Sequence, residues 1–167
     1  MDTEQSAALA QSRAETRAAF ENRALVYLHL YRTLARELGQ EQASALMREA
    51  IYERGLEVAE KYRAAAEEGD LEALGRIFCE DSPCAGELFH PAVADTAEGR
   101  MVLTMTSCPL IDAWRRHGAS SAELDALCAI ASAVDEGTFK GAGLDVAITE
   151  RLGQPGGTRC LLKIALR

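Results

Sequence analysis

The sequence lacks a run of apolar residues long enough to cross a lipid bilayer. Its most apolar window, Ala24–Tyr31, contains His29 and is far shorter than the roughly 20 residues that a spanning helix needs. Residues 1–6 also lack the basic segment followed by an apolar segment that is typical of a signal peptide. We therefore expect a cytoplasmic protein that does not bind a membrane.

An excess of positive charge is also missing. The chain has 18 Lys and Arg against 26 Asp and Glu, which gives a net charge of -8. Nucleic acids and anionic membranes bind basic surfaces, so neither is expected as a partner, and a small-molecule substrate is favoured. The length of 167 residues and the apolar share of 48% are typical of one globular domain. We predict a single domain over 1–167, helical over 1–78 and built from a sheet and helices over 79–167.

Several functional motifs are absent. There is no glycine-rich phosphate loop, no dinucleotide fingerprint and no G-x-S-x-G, so no nucleotide cofactor is expected. No C-x-x-C pair or H-E-x-x-H indicates a metal. The number of cysteines is odd, which favours reduced thiols over a disulfide framework and leaves chemistry, metal binding or packing as their role. They are Cys79, Cys84, Cys108, Cys128 and Cys160.

Helical spacing of apolar residues dominates the first part of the chain. It predicts helices over about 15–38 and 41–68, separated by Gly39, and a short helix over 71–78. Gly55 is expected to weaken the middle of the second helix. The apolar stripes predict helix packing, and a homo-oligomer interface on the first helix is left open. The residues predicted for the apolar side of the second helix are Ala45, Leu46, Ala50, Ile51, Leu56 and Ala59.

The second part of the chain has the patterns of strands and short helices. It predicts a β-hairpin over 86–106, a helix over 109–117 and two closing strands over 143–151 and 158–166. Ser120 and Glu123 form a capping box that begins another helix, which should end near residue 134. The expected class is α+β, with long N-terminal helices packed on a small antiparallel sheet in a ββααββ C-terminal half.

Cys108 stands where a β-type run, 101–106, gives way to a helix. Proline is favoured at the first helical position, so Pro109 predicts that Cys108 is the N-cap. The unpaired N–H groups and the helix dipole at that end favour the thiolate, which is the nucleophilic and metal-binding form. Cys108 is therefore a candidate nucleophile or metal ligand. The alternative is a small buried hydrophobic residue.

Three further residues complete a candidate site. Cys128 and Asp135 are seven positions apart, which places them on one face of a helix, and Cys160 lies on a strand that could approach that face. Together with Cys108 they could hold zinc or iron, with an open coordination position if the site is catalytic. The alternative places Cys128 and Cys160 in the core and Asp135 at a solvated helix end.

Cys79, Cys84 and the histidines are weaker candidates. Cys79 and Cys84 enclose the acidic segment 80–83, and an exposed loop with incidental thiols is favoured over a metal site or a disulfide. Among the histidines, only His90 on the hairpin is considered as a general base. A surface histidine is the favoured alternative there.

Several segments together resemble the L-2-amino-thiazoline-4-carboxylic acid hydrolase family, over roughly residue 20 to the end. Cys108 with Pro109, Cys128, Asp135 and Cys160 are the most specific parts of this resemblance. The segments that carry it are Leu38–Ala43, Ser107–Trp114 with Gly118, Leu127–Cys128 followed by Asp135–Gly137, and Gly156–Cys160.

The resemblance implies a hydrolase that opens a cyclic isothiourea amino acid to a carbamoyl-cysteine by acting on a C–N bond. It implies that Cys108 is a nucleophile or metal ligand and that Asp135 is a ligand or acid/base. Cys128 and Cys160 would then be ligands or supporting thiols. The substrate carboxylate could be held by N–H groups at a helix start or by an arginine. The arginines considered are Arg100, Arg115 and Arg159.

A second function class stays open. The second half of the chain also resembles, more faintly, the vinyl-reductase-type ligand-sensing domains. Such a module would bind a metal or a small molecule without turnover. A sensor needs an output partner, and the chain shows no DNA-binding domain, which favours the enzyme.

Overall fold

The N-terminal half of the chain is helical. The computed structural model describes residues 3–167. The first helix extends further towards the N-terminus than its predicted start at residue 15, and it ends at the predicted Gly39, whose φ of 86° is readily adopted only by glycine. The helices of this half are α1 (Thr3–Leu38), α2 (Gln40–Val58), α3 (Glu60–Glu67) and α4 (Leu71–Glu80).

The segment predicted as the second helix forms two helices, α2 and α3, which are separated at Ala59. Its predicted apolar side was also wrong in part. The exposed members are Ala45, Leu46, Ala50 and Leu56. The packing of Gly55 explains which side of α2 is buried. Gly55 is buried against α7 (Ala133–Gly141), and a Cβ added to it would collide with the carbonyl oxygen of Val134. The glycine therefore lets two helices approach closely.

The sheet has the predicted antiparallel hairpin and closing strands. Its order is β1-β2-β4-β3, and every neighbouring pair is antiparallel. Alternation along β2 and β4 places Met101, Leu103, Leu162 and Ile164 on the buried face. The strands are β1 (Pro91–Ala97), β2 (Arg100–Met105), β3 (Asp145–Glu150) and β4 (Cys160–Ala165).

Between β2 and β3 lie α5 (Pro109–Arg116), α6 (Ser121–Ala131) and α7, so the second half reads ββαααββ and not ββααββ. The capping box of Ser120 and Glu123 is present. The helix predicted to end near residue 134 instead ends at Ser132, whose carbonyl then accepts the N–H groups of Asp135 and Glu136 as α7 begins. The sequence pattern missed α7 because Gly137 and Gly141 have low helix propensity.

The core consists of two buried clusters. The first joins α1, α2, α5 and α6 around Trp114, whose Nε1 donates a hydrogen bond to the carbonyl of Ala24 at 2.7 Å. The second joins α3, α4, α7 and the buried face of the sheet around Phe139. The fold is therefore α+β, as predicted, with long N-terminal helices and a small antiparallel sheet.

Candidate functional site

A cavity of about 530 Å³ is lined by members of both core clusters, such as Tyr27 and Leu110 from the first and Tyr62 from the second. Four residues singled out in the sequence also line it, namely Cys108, Cys128, Asp135 and Cys160. The fold therefore brings these four residues to one cavity.

Three of them form what we call the thiol wall: Cys108, Cys128 and Cys160. Cys108 is the N-cap of α5 and Pro109 is its first residue, as predicted. Burial raises the pKa of the Cys108 thiol to about 11, and the backbone N–H groups of Ile111 and Leu110 lower it by a smaller amount. The expectation of a thiolate at Cys108 was wrong, because loss of solvation outweighs the helix end.

Cys128, in α6, interacts directly with Cys160, at the start of β4. The hydrogen bond between their side chains lowers the pKa of Cys128 and raises that of Cys160. The proton of this hydrogen bond therefore stays on Cys160. The backbone N–H of Gly153 and the positive charge of Arg151 also lower the pKa of Cys128. Within the thiol wall, the thiolate is therefore favoured at Cys128.

Gly153 is a residue whose role the sequence did not reveal. It opens the predicted turn before β4 and is buried against α6. A Cβ at this position would lie 2.7 Å from the carbonyl oxygen of Leu124 and 3.0 Å from the sulfur of Cys128. Only glycine lets the backbone N–H reach this sulfur. The glycine-rich composition of 153–157 signalled a turn but not this contact.

Asp135 lies in the first turn of α7. Burial raises the pKa of its carboxyl to about 7, and the charge of Glu136 adds to the shift. None of the hydrogen bonds or ion pairs within residues 3–167 uses this carboxyl, whereas Glu136 is paired with Arg48 at 2.9 Å. An unpaired carboxyl with this pKa can take or release a proton near neutral pH.

Three cations also line the cavity, and the sequence did not predict them: Arg23, Arg54 and Lys61. All three residues are exposed, so the cavity reaches solvent beside them. Arg54 is paired with Glu57 at 2.9 Å and Lys61 with Asp81 at 3.1 Å. These residues were missed because the periodicity of α1, α2 and α3 indicates only which face is apolar.

The arginines considered for the substrate carboxylate lie outside this cavity. Arg115 is exposed and lies 3.8 Å from Asp112, and Arg159 donates two hydrogen bonds to Glu150. Arg100 lines a separate groove on the sheet. None of the three lines this cavity, because each extends from a part of the chain that does not face it.

The weaker candidates also lie apart from the thiol wall. His90 is exposed and does not line the cavity. Cys79 and Cys84 are free thiols. The segment between them nevertheless lines the cavity through Asp81, Ser82 and Pro83. The prediction of an exposed loop with incidental thiols did not include this contribution.

A metal site has no geometric support among residues 3–167. No group of three or more His, Cys, Asp or Glu side chains there is arranged to hold a metal ion. Cys108, Cys128, Asp135 and Cys160 share a cavity but do not form a ligand set. Zinc or iron stays a prediction that metal analysis would test, and we assign no chemical step to it.

The family follows from comparison with known proteins. The model of the L-2-amino-thiazoline-4-carboxylic acid hydrolase family matches residues 17–164. The chain belongs to this family. The match covers the cavity and every residue of the thiol wall, and the family name denotes a hydrolase. No curated protein matches the chain.

A solved structure shares the fold. It is a trafficking protein particle complex subunit 3 from Naegleria fowleri, covalently bound to palmitic acid. The TM-score is 0.56 and the identity 9%, over 90% of this chain and 96% of that chain. At this identity the likeness concerns the fold alone. In the part of the chain that the structure describes, no helix combines the length and the apolar character needed to cross a membrane.

Proposed function

We propose that the protein hydrolyses a C–N bond of a small cyclic amidine or isothiourea, such as L-2-amino-thiazoline-4-carboxylate, to give a carbamoyl-cysteine. One observation carries the proposal: an unpaired carboxyl, Asp135, lines the same cavity as three thiols, in a member of this hydrolase family. Acid/base and nucleophilic groups in one cavity are what this ring opening requires.

Asp135 is the proposed acid/base. A nucleophile adds to the ring carbon that bears the exocyclic nitrogen, and the ring C–N bond then breaks while the departing nitrogen takes up a proton. One water molecule is consumed overall. With a pKa raised to about 7, the carboxyl can give a proton to that nitrogen as the ring C–N bond breaks, and take one back from the water that later adds to the same carbon.

The thiols have different proposed roles. Cys108 keeps its proton at neutral pH because burial raises its pKa, so it acts as a neutral donor towards the substrate. Cys128 is better suited to be a nucleophile, since the hydrogen bond from Cys160 favours its thiolate. Its sulfur adds to the ring carbon, the ring C–N bond breaks, and a water molecule then adds to the same carbon and releases the Cys128 thiolate. Cys160 is a positioning residue, because it acts through Cys128.

The test is mass spectrometry of 2-amino-thiazoline-4-carboxylate incubated with the purified protein. We expect a product heavier than the substrate by one water molecule, formed in proportion to the protein present and absent with heat-denatured protein. Folded protein that yields no such product with this substrate or with related cyclic amidines would contradict the proposal.

Ligand binding without turnover is the second candidate, as in the vinyl-reductase-type modules. The observation that favours it is the cavity, which the neutral Cys108 and the aromatic side chains of Phe20 and Tyr27 line. A subunit of the same fold is covalently bound to palmitic acid. Native mass spectrometry of the purified protein would support this candidate by showing a retained ligand together with no hydrolysis.

A further inference from the structure

The cavity is larger than the substrate that the family name gives. Its volume is about 530 Å³. 2-Amino-thiazoline-4-carboxylate has about nine non-hydrogen atoms, and even at roughly 30 Å³ for each, the liquid volume of one water molecule, it would occupy about half of this space. The cavity therefore has room for a ligand with additional atoms.

The chemistry of the lining indicates what those atoms are. The lining also includes what we call the aromatic wall: Phe20, Tyr27, Phe78 and Phe89. The rings of Phe20 and Phe89 pack edge to face with centroids 5.4 Å apart, which joins α1 to the segment before β1. Phe20, Tyr27, Phe78 and Phe89 are only partly buried, so apolar surface remains available to a ligand. Such a lining favours an apolar group.

Arg23 supplies one charge beside this wall. Its guanidinium carbon lies 4.8 Å from the centroid of the Phe20 ring. No ion pair within residues 3–167 involves Arg23, whereas the other two cations of the lining, Arg54 and Lys61, are each paired with a carboxylate of this chain. A cation held against an aromatic ring and without an anionic partner can accept the carboxylate of a ligand.

We infer that the site takes a carboxylate with an apolar alkyl or aryl group larger than the thiazoline ring, with the carboxylate on Arg23 and the apolar group between the aromatic wall and the thiol wall. This inference rests on the proposed function, because it names the substrate class of the same site. Among such carboxylates, we expect unsubstituted 2-amino-thiazoline-4-carboxylate to bind weakly, because it lacks the larger apolar group.

The experiment is calorimetric titration of the purified protein with butanoate, hexanoate and octanoate, and with 1-octanol as the uncharged probe. Each added methylene should tighten binding by about three- to fourfold, as expected for apolar burial. Octanoate should bind about tenfold more tightly than 1-octanol. Arg23→Gln should remove that tenfold preference, while Arg36→Gln, an exposed arginine of the same helix paired with Glu37, should retain it.

An affinity that does not change with chain length, or no binding of octanoate, would overturn the apolar part of the inference. An unchanged preference for octanoate in Arg23→Gln would overturn the role of Arg23. Calorimetry needs no chemistry, so these results can be told apart from a failure of the proposed hydrolysis. Octanoate binding without any thiazoline turnover would support the apolar carboxylate site and contradict the hydrolase.

Discussion

The two walls of the cavity come from parts of the chain with very different sequence signals. The thiol wall is formed by reactive residue types in the second half, at a helix start, in a helix interior and at a strand start. The aromatic wall includes Phe20 and Tyr27 of α1, which pack against the apolar residues of the first core cluster. Tyr27 stacks on the fully buried Trp114 but is itself only partly buried. An apolar stripe on a helix can therefore face a ligand cavity as well as the core.

The largest expected effect comes from removing the acid/base. Asp135→Asn should lower kcat by about 10²- to 10⁴-fold, because the amide cannot transfer the proton. The exposed Asp112→Asn on α5 is the matched control and should leave kcat unchanged. The measurement is product formation followed by mass spectrometry. Equal rates for wild type and Asp135→Asn would remove Asp135 from the mechanism.

A large difference is also expected within the thiol wall. Cys128 should react with iodoacetamide faster than Cys108 at about pH 8, on the order of 10-fold, because only the thiolate is nucleophilic and Cys128, although buried, lines the cavity. Burial raises the pKa of Cys108 to about 11, whereas the hydrogen bond from Cys160 lowers that of Cys128. Peptide mass spectrometry of samples quenched over time measures both rates. Faster labelling of Cys108 would reverse the proposed roles of the two thiols.

Stability should depend on pH through Asp135. Its pKa is about 7 in the folded protein and close to 3.9 in an unfolded chain. Folding therefore costs nothing at this group below about pH 4, stability is lost as pH rises from about 4 to about 7, and the cost stays constant above that. Relative to Asp135→Asn, the free energy of unfolding of the wild type should fall by on the order of 2 kcal/mol between about pH 5 and 8. Urea unfolding measures it. If the free energy of unfolding changed with pH in the same way in both proteins, the carboxyl would not be buried as described.

The smallest expected effect on stability concerns the aromatic wall. Phe20→Leu should cost below about 1 kcal/mol, because the ring is only partly buried, while Trp114→Leu in the filled core should cost at least about 3 kcal/mol. Phe20→Leu should still weaken octanoate binding severalfold. Thermal unfolding and calorimetry measure the two effects. If Phe20→Leu were as destabilising as Trp114→Leu, Phe20 would be a core residue and not part of a ligand wall.

The sequence predicted the elements with strong local signals and failed where packing decides. Gly39, the hairpin, the capping box of Ser120 and the N-cap position of Cys108 depend on nearby residues and were correct. The close approach of Gly55 to α7 depends on residues far apart in the chain and was missed.

The candidate site shows the same division. Cys108, Cys128, Asp135 and Cys160 were chosen for their chemistry, and the fold places them at one cavity. The protonation of Cys108 was mispredicted, because helix-end effects can be inferred from sequence and burial cannot. Arg23 was missed since its importance depends on the position of α1 beside the cavity, which only the fold defines.

The most direct test of the site is a crystal structure of Asp135→Asn bound to 2-amino-thiazoline-4-carboxylate, in which turnover is expected to be too slow to consume the ligand. The ligand should lie between the thiol wall and the aromatic wall, with its carboxylate directed to Arg23. Electron density for the ligand in the groove on the sheet instead, beside Arg100 and Lys163, would contradict the proposed site.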